Sequence, residues 1–275
     1  MSDFYYIILV EGEDMLANYH MHTSFSYDSH YPMEDCVRCA IQKGLDEICF
    51  TEHMDYGTET SFWCDIPAYH KELLRCQEKY KDQIVIKFGI EFGAQAHHKK
   101  YFDNIFNSYP FDFALLSFHQ VEDKELWNCD FQNGKTQAEY NRIYYDEMYR
   151  TVQVFEGFSV LAHMDLMRRY DPNGEYPFEK SKDQIEEILK YIIAHGKGIE
   201  VNTSSYKYKL NDLMPSRDIL KLYRDLGGEI ITVGSDSHRE AHVDDHIREV
   251  REILKDMGYK YFTTFDRMKP SFHEL

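Results

Sequence analysis

Residues 17–28 read ANYHMHTSFSYD, a short apolar run followed directly by His20, His22 and Asp28. In an extended chain, side chains two positions apart point to the same side. The imidazoles of His20 and His22 therefore face one direction and can chelate one ion. This combination of a strand with ligands at its carboxyl end sets a pattern that the rest of the chain repeats.

The same arrangement recurs along the chain after later apolar runs. Each run is rich in β-branched or aromatic residues and is bounded by glycine, proline or polar clusters, which is typical of buried strands. The seven runs are Ala17–His20, Glu47–Thr51, Ile84–Ile90, Asp112–Phe118, Phe158–Ala162, Lys197–Thr203 and Glu229–Gly234. The potential ligands that follow the later runs are His53, Glu91, His119, His163, Asp236 and His238. Only the sixth run lacks a strong ligand and ends in Asn202-Thr203-Ser204.

Amphipathic, helix-like stretches alternate with these runs, and several of them end in glycine, as helices often do. Seven alternations of strand and helix predict a parallel sheet with helices outside. About 250 residues suit a closed or nearly closed α/β barrel better than an open sheet. A last apolar stretch, Tyr259–Phe265, is either an eighth strand or a C-terminal addition. A stripe at helical spacing predicts core packing for Tyr140, Tyr144, Met148, Val152 and Phe155.

The position of the ligands relative to the strands indicates a shared metal site. In parallel α/β barrels the carboxyl ends of the strands lie on one face, where sites are built. Six strands that each place a histidine or carboxylate at this end are difficult to explain by chance. Histidine with carboxylate and without thiolate suits Zn²⁺, Mn²⁺ or Fe. Asp236 and His238 lie two positions apart, so one segment can supply ligands to different ions.

The composition narrows the classes of partner. The chain has 275 residues and a net charge of −17, so nucleic acid and an anionic membrane surface would repel it. A small anionic substrate is not excluded, because bound metal ions can reverse the local field. The run Tyr5–Val10 is too short for a membrane span and follows no basic segment. We therefore expect a cytoplasmic protein with one barrel domain over residues 15–275, and residues 1–14 are hypothesised to be an upstream-start extension.

Other residues with ligand-type side chains are interpreted as structural. Cys36 and Cys39 form a C-x-x-C, but no second pair completes a zinc ribbon, and all six cysteines are expected to be reduced thiols. Glu52 and Asp165 adjoin ligands and are expected to support them. The remaining histidines are expected to be mostly solvated, namely His30, His70, His97, His98, His195, His242, His246 and His273.

The motifs H-M-H, T-E-H, G-I-E, S-F-H, A-H and S-D-S-H, in this order, resemble the PHP (polymerase and histidinol phosphatase) family. The resemblance extends from about residue 17 to 265 and is closest to the stand-alone histidinol-phosphatase branch, in stretches such as YHMHTSFSYDS and IEVNTS. It implies a distorted (β/α)7 barrel that holds three metal ions. The implied ligands are His20, His22 and Asp236 for the first ion, His119 and His163 for the second, Glu91 bridging these two, and Asp28, His53 and His238 for the third. Many family members have histidine where this chain has Asp28.

The resemblance also implies hydrolysis of a small phosphate monoester, specifically of L-histidinol phosphate to L-histidinol and phosphate in histidine biosynthesis. A hydroxide held between the first two ions would attack phosphorus directly. Arg169 falls where the branch has a phosphate-gripping arginine, and its planar fork suits phosphate oxygens. Some members carry a second arginine where this chain has Ser204. Arg168, Ser204 and Lys207 are therefore further candidates for contact with the substrate.

Three alternatives remain open from the sequence. A PHP-family phosphoesterase acting on nucleotides, or on another small phosphate ester, would use the same ligands, although no basic or aromatic nucleic-acid-binding segment is visible. Metal-dependent amidohydrolases also use H-x-H, but they often bridge two metals with a carbamylated lysine, where this chain has Glu91. A non-enzymatic binding protein with this fold would have lost ligands, and none is missing from the motifs.

Overall fold

The structure is a computed structural model that describes residues 15–56 and 63–275. The hypothesised extension at residues 1–14, with the run Tyr5–Val10, lies outside the described residues. The strands are β1 (Ala17–Asn18), β2 (Glu47–Phe50), β3 (His53–Asp55), β4 (Val85–Gly93), β5 (Phe113–Ser117), β6 (Gln120–Val121), β7 (Lys124–Glu125), β8 (Val160–Leu161), β9 (Gly198–Asn202), β10 (Ile231–Gly234), β11 (Tyr261–Asp266) and β12 (Lys269–Glu274).

A parallel sheet forms the centre of the fold, with the order β1-β2-β4-β5-β8-β9-β10. β3 continues the direction of β2, because both pair in parallel with β4 in successive registers. The first and last strands also meet: the Tyr19 N–H donates to the Val233 carbonyl at 3.0 Å, and the Asp236 N–H donates to the His20 carbonyl at 2.9 Å. The sheet therefore closes into an α/β barrel with seven strand positions, which confirms the predicted fold class.

Helices connect most of these strands. They are α1 (Met33–Gln42), α2 (Ile66–Tyr80), α3 (Lys99–Phe106), α4 (Gln137–Val154), α5 (Met167–Tyr170), α6 (Lys182–Ala194), α7 (Ser204–Lys207), α8 (Arg217–Asp225) and α9 (Ile247–Asp256). Local signals set their starts: the Asp65 side chain caps α2, and Thr136 with Glu139 forms a capping box on α4. The short α3 lies outside the predicted helical stretches, and only its Phe102 is buried, so its apolar pattern is weak.

The inside of the barrel is filled from its amino-terminal end by aromatic side chains. Tyr19 packs edge-on against Phe113, with ring centroids 4.9 Å apart, and Phe113 packs against Phe265 at 5.0 Å. Phe262 and Phe265 belong to β11, which pairs antiparallel with β12. The stretch Tyr259–Phe265 is therefore a C-terminal addition, a hairpin that closes one end of the barrel, and the ligand-bearing strand ends lie at the other.

Further expectations can be compared with the described residues. The five stripe residues, on α4 and at Phe155 directly after it, are buried, which confirms their predicted place in the core. The six cysteines are unpaired. The expectation of solvation was wrong for His273, which is buried with its Nε2 2.8 Å from Thr264 Oγ1, because it lies on the hairpin that closes the barrel. No helix in the described ranges has the length and apolar character that a membrane span requires.

Candidate metal centre

Glu91, on β4, lies at the middle of the carboxyl-terminal face and is almost fully buried. Its Oε1 lies 3.0 Å from His163 Nε2 and 3.2 Å from His119 Nε2. The Ser117 hydroxyl donates a hydrogen bond of 2.6 Å to the same oxygen and so fixes the carboxylate. One oxygen of Glu91 is thus directed at two histidines that follow neighbouring strands.

The other oxygen of Glu91 faces the H-M-H segment after β1. Its Oε2 lies 3.3 Å from His20 Nε2 and 3.4 Å from His22 Nε2. The two Nε2 atoms are 3.0 Å apart, and Asp236 Oδ1 lies 3.7 Å and 3.5 Å from them. The structure therefore brings His20, His22 and Asp236 together, with Glu91 between this group and the His119–His163 pair.

A third group lies nearer to solvent. His238 Nε2 is 2.9 Å and His53 Nε2 is 3.6 Å from Asp28 Oδ2, and the Asp28 side chain is 36% exposed. His53 also approaches the inner group, since its Nδ1 is 2.9 Å from Glu91 Oε2. All nine residues predicted from the motifs therefore lie in one continuous cluster.

Two carboxylates behind the ligands, Glu200 and Asp55, orient them. Glu200 Oε1 lies 2.6 Å from His20 Nδ1, and its Oε2 accepts the His163 backbone N–H at 3.0 Å. Asp55 Oδ1 lies 2.8 Å from His119 Nδ1. Such partners fix the tautomer and the ring plane of a ligating imidazole.

The sequence pattern did not single out Glu200 or Asp55, although each carries a signal. Glu200 is the only charged residue in the buried strand GIEVN, and Asp55 lies two positions after His53, on the same side of β3. Glu52 has the supporting role that was expected. It accepts hydrogen bonds from Thr23 and from Ser26 Oγ, and this hydroxyl lies 3.1 Å from His22 Nδ1.

Two glycines at strand ends make room for these outer carboxylates. A Cβ at Gly234 would lie 2.3 Å from His20 Cβ and 2.4 Å from Glu200 Oε1. A Cβ at Gly93 would overlap Asp55 Oδ1 at 1.4 Å. At these two positions the backbone of the barrel lies so close to the neighbouring side chains that only glycine fits.

The backbone is also unusual at two of the ligands. His163 and Asp236 have φ angles of 24° and 52°, in the left-handed region that non-glycine residues rarely adopt. Each residue lies two positions after the end of a strand, His163 after β8 and Asp236 after β10. Backbone strain of this kind persists where the surrounding structure holds it, and it is frequent at functional sites.

The donor atoms fit divalent metal ions. A tetrahedral zinc site with bonds of about 2.0–2.1 Å places its nitrogen and oxygen ligands about 3.3 Å apart, which is close to the spacings around Glu91. Several groups of three ligand atoms lie within 4.8 Å of one another, among them His20–His22–Glu91 and Glu91–His119–His163. Glu91 Oε2, His53 Nδ1 and His238 Nε2 are buried, yet they make no hydrogen bond of acceptable geometry within residues 15–56 and 63–275. These atoms lie close together but are not oriented to hydrogen-bond with one another. Such an arrangement fits ligation of a shared metal ion.

The charges of the cluster support this interpretation. Burial opposes a charge on His119, but the carboxylates of Asp55 and Glu91 outweigh burial and raise the pKa of His119 to about 10. Burial likewise disfavours the Glu91 carboxylate, yet the imidazoles of His20, His53 and His119 hold its pKa well below the usual range. The cluster thus requires compensating positive charge, which protons supply in the free protein and metal ions can supply in their place.

A cavity of about 400 Å³ opens directly above the cluster. Its floor includes Glu91, Asp236 and His238, and Arg169 forms part of one wall. The Arg169 guanidinium stacks on the Tyr208 ring, with its carbon 3.2 Å from the ring centroid. Its buried Nε has no hydrogen-bond partner among the residues that the structure describes. Arg169, which the sequence predicts to contact phosphate, therefore lies beside the candidate metal ligands.

The other three candidates for substrate contact, Arg168, Ser204 and Lys207, do not line this cavity. Arg168 turns away from the cavity, because Asp165, the Leu213 carbonyl and Glu175 hold its guanidinium. The Ser204 hydroxyl is buried and lies 3.5 Å from Asp236 Oδ2, so it contacts a ligand and not the cavity. Lys207 is also absent from the cavity lining, and its ammonium group lies over the Tyr208 ring at 5.1 Å from the centroid.

Comparison with known proteins agrees with this geometry. The family model described as the PHP domain matches residues 18–204. The chain belongs to the PHP-domain family. This PHP-domain protein is 34% identical to the histidinol-phosphatase of Lactococcus lactis over 256 residues, which span 92% of this chain and 95% of the relative. A protein from Clostridium acetobutylicum is 31% identical over 252 residues, with 90% and 95% of the two chains covered.

A solved structure of a relative has the same fold. The crystal structure of histidinol phosphate phosphatase from Lactococcus lactis, complexed with zinc, L-histidinol and phosphate, superposes with a TM-score of 0.84 at 33% identity. The match covers 93% of this PHP-domain chain and 98% of that one. The family and the barrel predicted from the motifs are therefore confirmed, and zinc is bound in a close structural relative.

Proposed function

We propose that this protein is a metal-dependent phosphomonoesterase that hydrolyses L-histidinol phosphate to L-histidinol and phosphate, a step of histidine biosynthesis. The observation that carries the proposal is one cluster of nine candidate metal-ligand side chains, seven of which line, together with Arg169, a single cavity of about 400 Å³. A relative that covers nearly the whole chain carries the name histidinol-phosphatase, which supports this substrate. The activity is assigned to one barrel domain over residues 15–275.

The ligands are proposed to hold three divalent ions, with zinc favoured by its presence in the relative's crystal structure. The proposed sets are His20, His22 and Asp236, then His119 and His163, then Asp28, His53 and His238, with Glu91 shared by the first two sets. Bound ions of this kind lower the pKa of water and neutralise the charge that develops on phosphate. The chain's own contribution is to fix the ligands, through Glu200, Asp55 and Ser117.

Arg169 is proposed to bind the phosphate group. Its guanidinium carries a permanent charge and donates in a planar fork that matches two phosphate oxygens. Stacking on Tyr208 and on Tyr170, at 3.2 and 4.9 Å, holds the side chain in one orientation before the substrate arrives. Pre-oriented clamps of this type place phosphorus relative to the nucleophile and reduce the entropy cost of the reaction.

The mouth of the cavity suits the organic part of the substrate. Glu125 and Gln120 line it on one side, and Tyr27 and Trp127 present aromatic rings there. Tyr27 is 46% and Trp127 is 61% exposed. A carboxylate beside aromatic rings attracts a cationic amine and packs against a flat imidazole, whereas a sugar phosphate carries neither group. The net charge of −17 likewise supports a small substrate over nucleic acid.

Phosphate release from a panel of esters tests the proposal. The protein is loaded with Zn²⁺, Mn²⁺ or Fe²⁺ and is given L-histidinol phosphate, nucleoside monophosphates and sugar phosphates. We expect L-histidinol phosphate to have the highest kcat/KM by at least about tenfold, or ~1.4 kcal/mol of transition-state binding. Hydrolysis of a nucleotide at the higher rate would instead support the nucleotide phosphoesterase, and activity on amides alone would support the amidohydrolase.

A variant of the central ligand tests the site independently of the substrate. Glu91→Gln keeps the shape of the side chain and removes the charge that faces two groups of histidines. We expect loss of bound metal and of phosphate release together, because the carboxylate touches both sets. Full metal content with full activity would show that Glu91 is not a shared ligand.

A further inference from the structure

A second cluster of ligand-type side chains lies at the rim of the barrel, outside the metal centre. His97 Nε2 lies 3.0 Å and His98 Nε2 lies 2.8 Å from the same oxygen, Asp123 Oδ1, and His97 Nε2 is also 3.1 Å from Oδ2. The rings of the two histidines are close, with centroids 3.9 Å apart. Two adjacent histidines therefore direct the same ring nitrogen at one carboxylate that is distant in sequence.

Two separate segments build this rim cluster. His97 and His98 end a single 3-10 turn, Ala96–His98, shortly after β4. Asp123 lies in the two-residue turn between β6 and β7, where it has a φ angle of 57°. The buried Gln95 joins the two segments, because its Nε2 donates to Asp123 Oδ1 at 3.0 Å and its Oε1 accepts the Asp123 N–H at 2.9 Å.

We propose that His97, His98 and Asp123 form an additional binding site for a divalent transition-metal ion such as Zn²⁺. Imidazole nitrogen with carboxylate oxygen is a ligand set for zinc and not for Mg²⁺ or Ca²⁺, which prefer oxygen. The nitrogen–oxygen spacings of 2.8 to 3.1 Å need only a small opening to reach the roughly 3.3 Å of a tetrahedral zinc site. Gln95 donates to this same carboxylate oxygen and accepts the Asp123 N–H, so it fixes the position of Asp123, as outer partners of metal ligands do.

An ion at this rim site would also hold the β6–β7 hairpin in place. The β6–β7 hairpin carries Asp123 at its tip and Gln120 and Glu125 in its strands, and these last two line the cavity above the metal centre. An ion bound to His97, His98 and Asp123 fastens the hairpin tip to the segment after β4. The rim ion thereby restricts the motion of a hairpin that forms one side of the cavity mouth.

Zinc titration of the protein with its metal centre already filled tests the site. Stoichiometry is measured by elemental analysis and calorimetry on the wild type, on the double variant His97→Gln/His98→Gln, and on Asp123→Asn. We expect the wild type to bind one more zinc ion per chain than the double variant, and Asp123→Asn to bind it at least about 100-fold more weakly. His195→Gln, which removes an exposed histidine at the end of α6, is the control and keeps the wild-type count.

Hydrogen exchange supplies a readout that does not depend on catalysis. Added zinc is expected to slow amide exchange over residues 119–126 at least about fivefold in the wild type and not in the double variant. Equal zinc counts and affinities in the wild type and the double variant overturn the site. Extra zinc in the wild type without slower exchange in the hairpin overturns ligation by Asp123. Phosphate release is not used in either measurement, so failure of the proposed activity leaves this test intact.

Discussion

Glu200 connects two ligands of the metal centre through its two oxygens. One oxygen lies 2.6 Å from His20 Nδ1, and the other accepts the backbone N–H of His163, whose φ angle is 24°. We expect Glu200→Gln to lower zinc affinity and kcat/KM by about 10–100-fold, because an amide orients the imidazole less firmly and leaves the His163 turn less well held. Competition with a zinc chelator and steady-state kinetics measure the two effects.

The matched control for Glu200 is Glu187→Gln, an exposed position on α6. It changes the net charge of the protein by the same amount and should leave zinc affinity unchanged. Equal zinc affinity in the Glu200 variant and in this control would mean that the Glu200 carboxylate does not act through His20.

Glu47 lies at the opposite end of the barrel, buried beside the hydroxyl of Tyr19, which donates a hydrogen bond to it. Burial raises the pKa of the Glu47 carboxyl above its ordinary value, and the Tyr19 hydrogen bond offsets only part of this. The folded chain therefore holds this proton more tightly than the unfolded chain does. The protonated Glu47 carboxyl contributes its full stabilisation below pH ~4.3, the ordinary pKa of a glutamate in an unfolded chain. This contribution is lost as the pH rises through the higher pKa of Glu47 in the folded chain.

The consequence for Glu47 is a pH-dependent effect of substitution. We expect Glu47→Gln to become more stable relative to the wild type as the pH rises from about 4 to about 7, since the amide does not ionise. Urea unfolding at several pH values measures the difference in the free energy of unfolding. Glu78→Gln, which removes an exposed carboxyl on α2, is the matched control. A flat difference at Glu47 would show that its carboxyl has the same pKa in both states.

At the scale of elements, the ligands were predictable because strand ends carry a regular signal. A barrel places the carboxyl ends of all its strands on one face, so a histidine or carboxylate after six of the seven apolar runs identifies both the strand and the site. The β6–β7 hairpin has no such signal. Its strands have two residues each, and its turn is Glu122-Asp123, without the glycine or asparagine that usually marks a two-residue turn. The mouth of the cavity, with Glu125, was therefore not predictable from the sequence pattern.

The closing hairpin gives a prediction about an element. Phe265 on β11 is buried against Phe113 inside the barrel. We expect Phe265→Ala to reduce the free energy of unfolding by about 3–5 kcal/mol, because it leaves a cavity between the hairpin and the strands. Tyr261→Ala, at a half-buried position on the same strand, should reduce it less. Urea unfolding measures both, and zinc content should be unchanged in folded Phe265→Ala, because the metal centre lies at the other end. Coupled loss of zinc would contradict this separation.

For the whole molecule, the metal centre joins strands that are distant in sequence. The ligands follow β1, β2, β5, β8 and β10 or lie on β4, so six of the seven positions of the barrel meet at one cluster. The sequence could predict this convergence but not the ring of outer carboxylates, whose contacts depend on the closed sheet. Ions bound here connect the first strand to the last across the barrel, and their removal leaves buried carboxylates and imidazoles to neutralise one another.

Metal removal should therefore lower the stability of the entire barrel. Binding to the folded state alone contributes about 2.7 kcal/mol per site when free zinc is 100 times Kd, which corresponds to several degrees in Tm for a chain of this size. We expect chelation to lower Tm and added zinc to restore it in proportion to the logarithm of free zinc, as followed by calorimetry. Glu91→Gln should show a weaker dependence, because its carboxylate faces two of the three ligand groups. A wild-type Tm that does not change with free zinc would mean that zinc does not bind preferentially to the folded chain, and it would contradict the proposed metal centre.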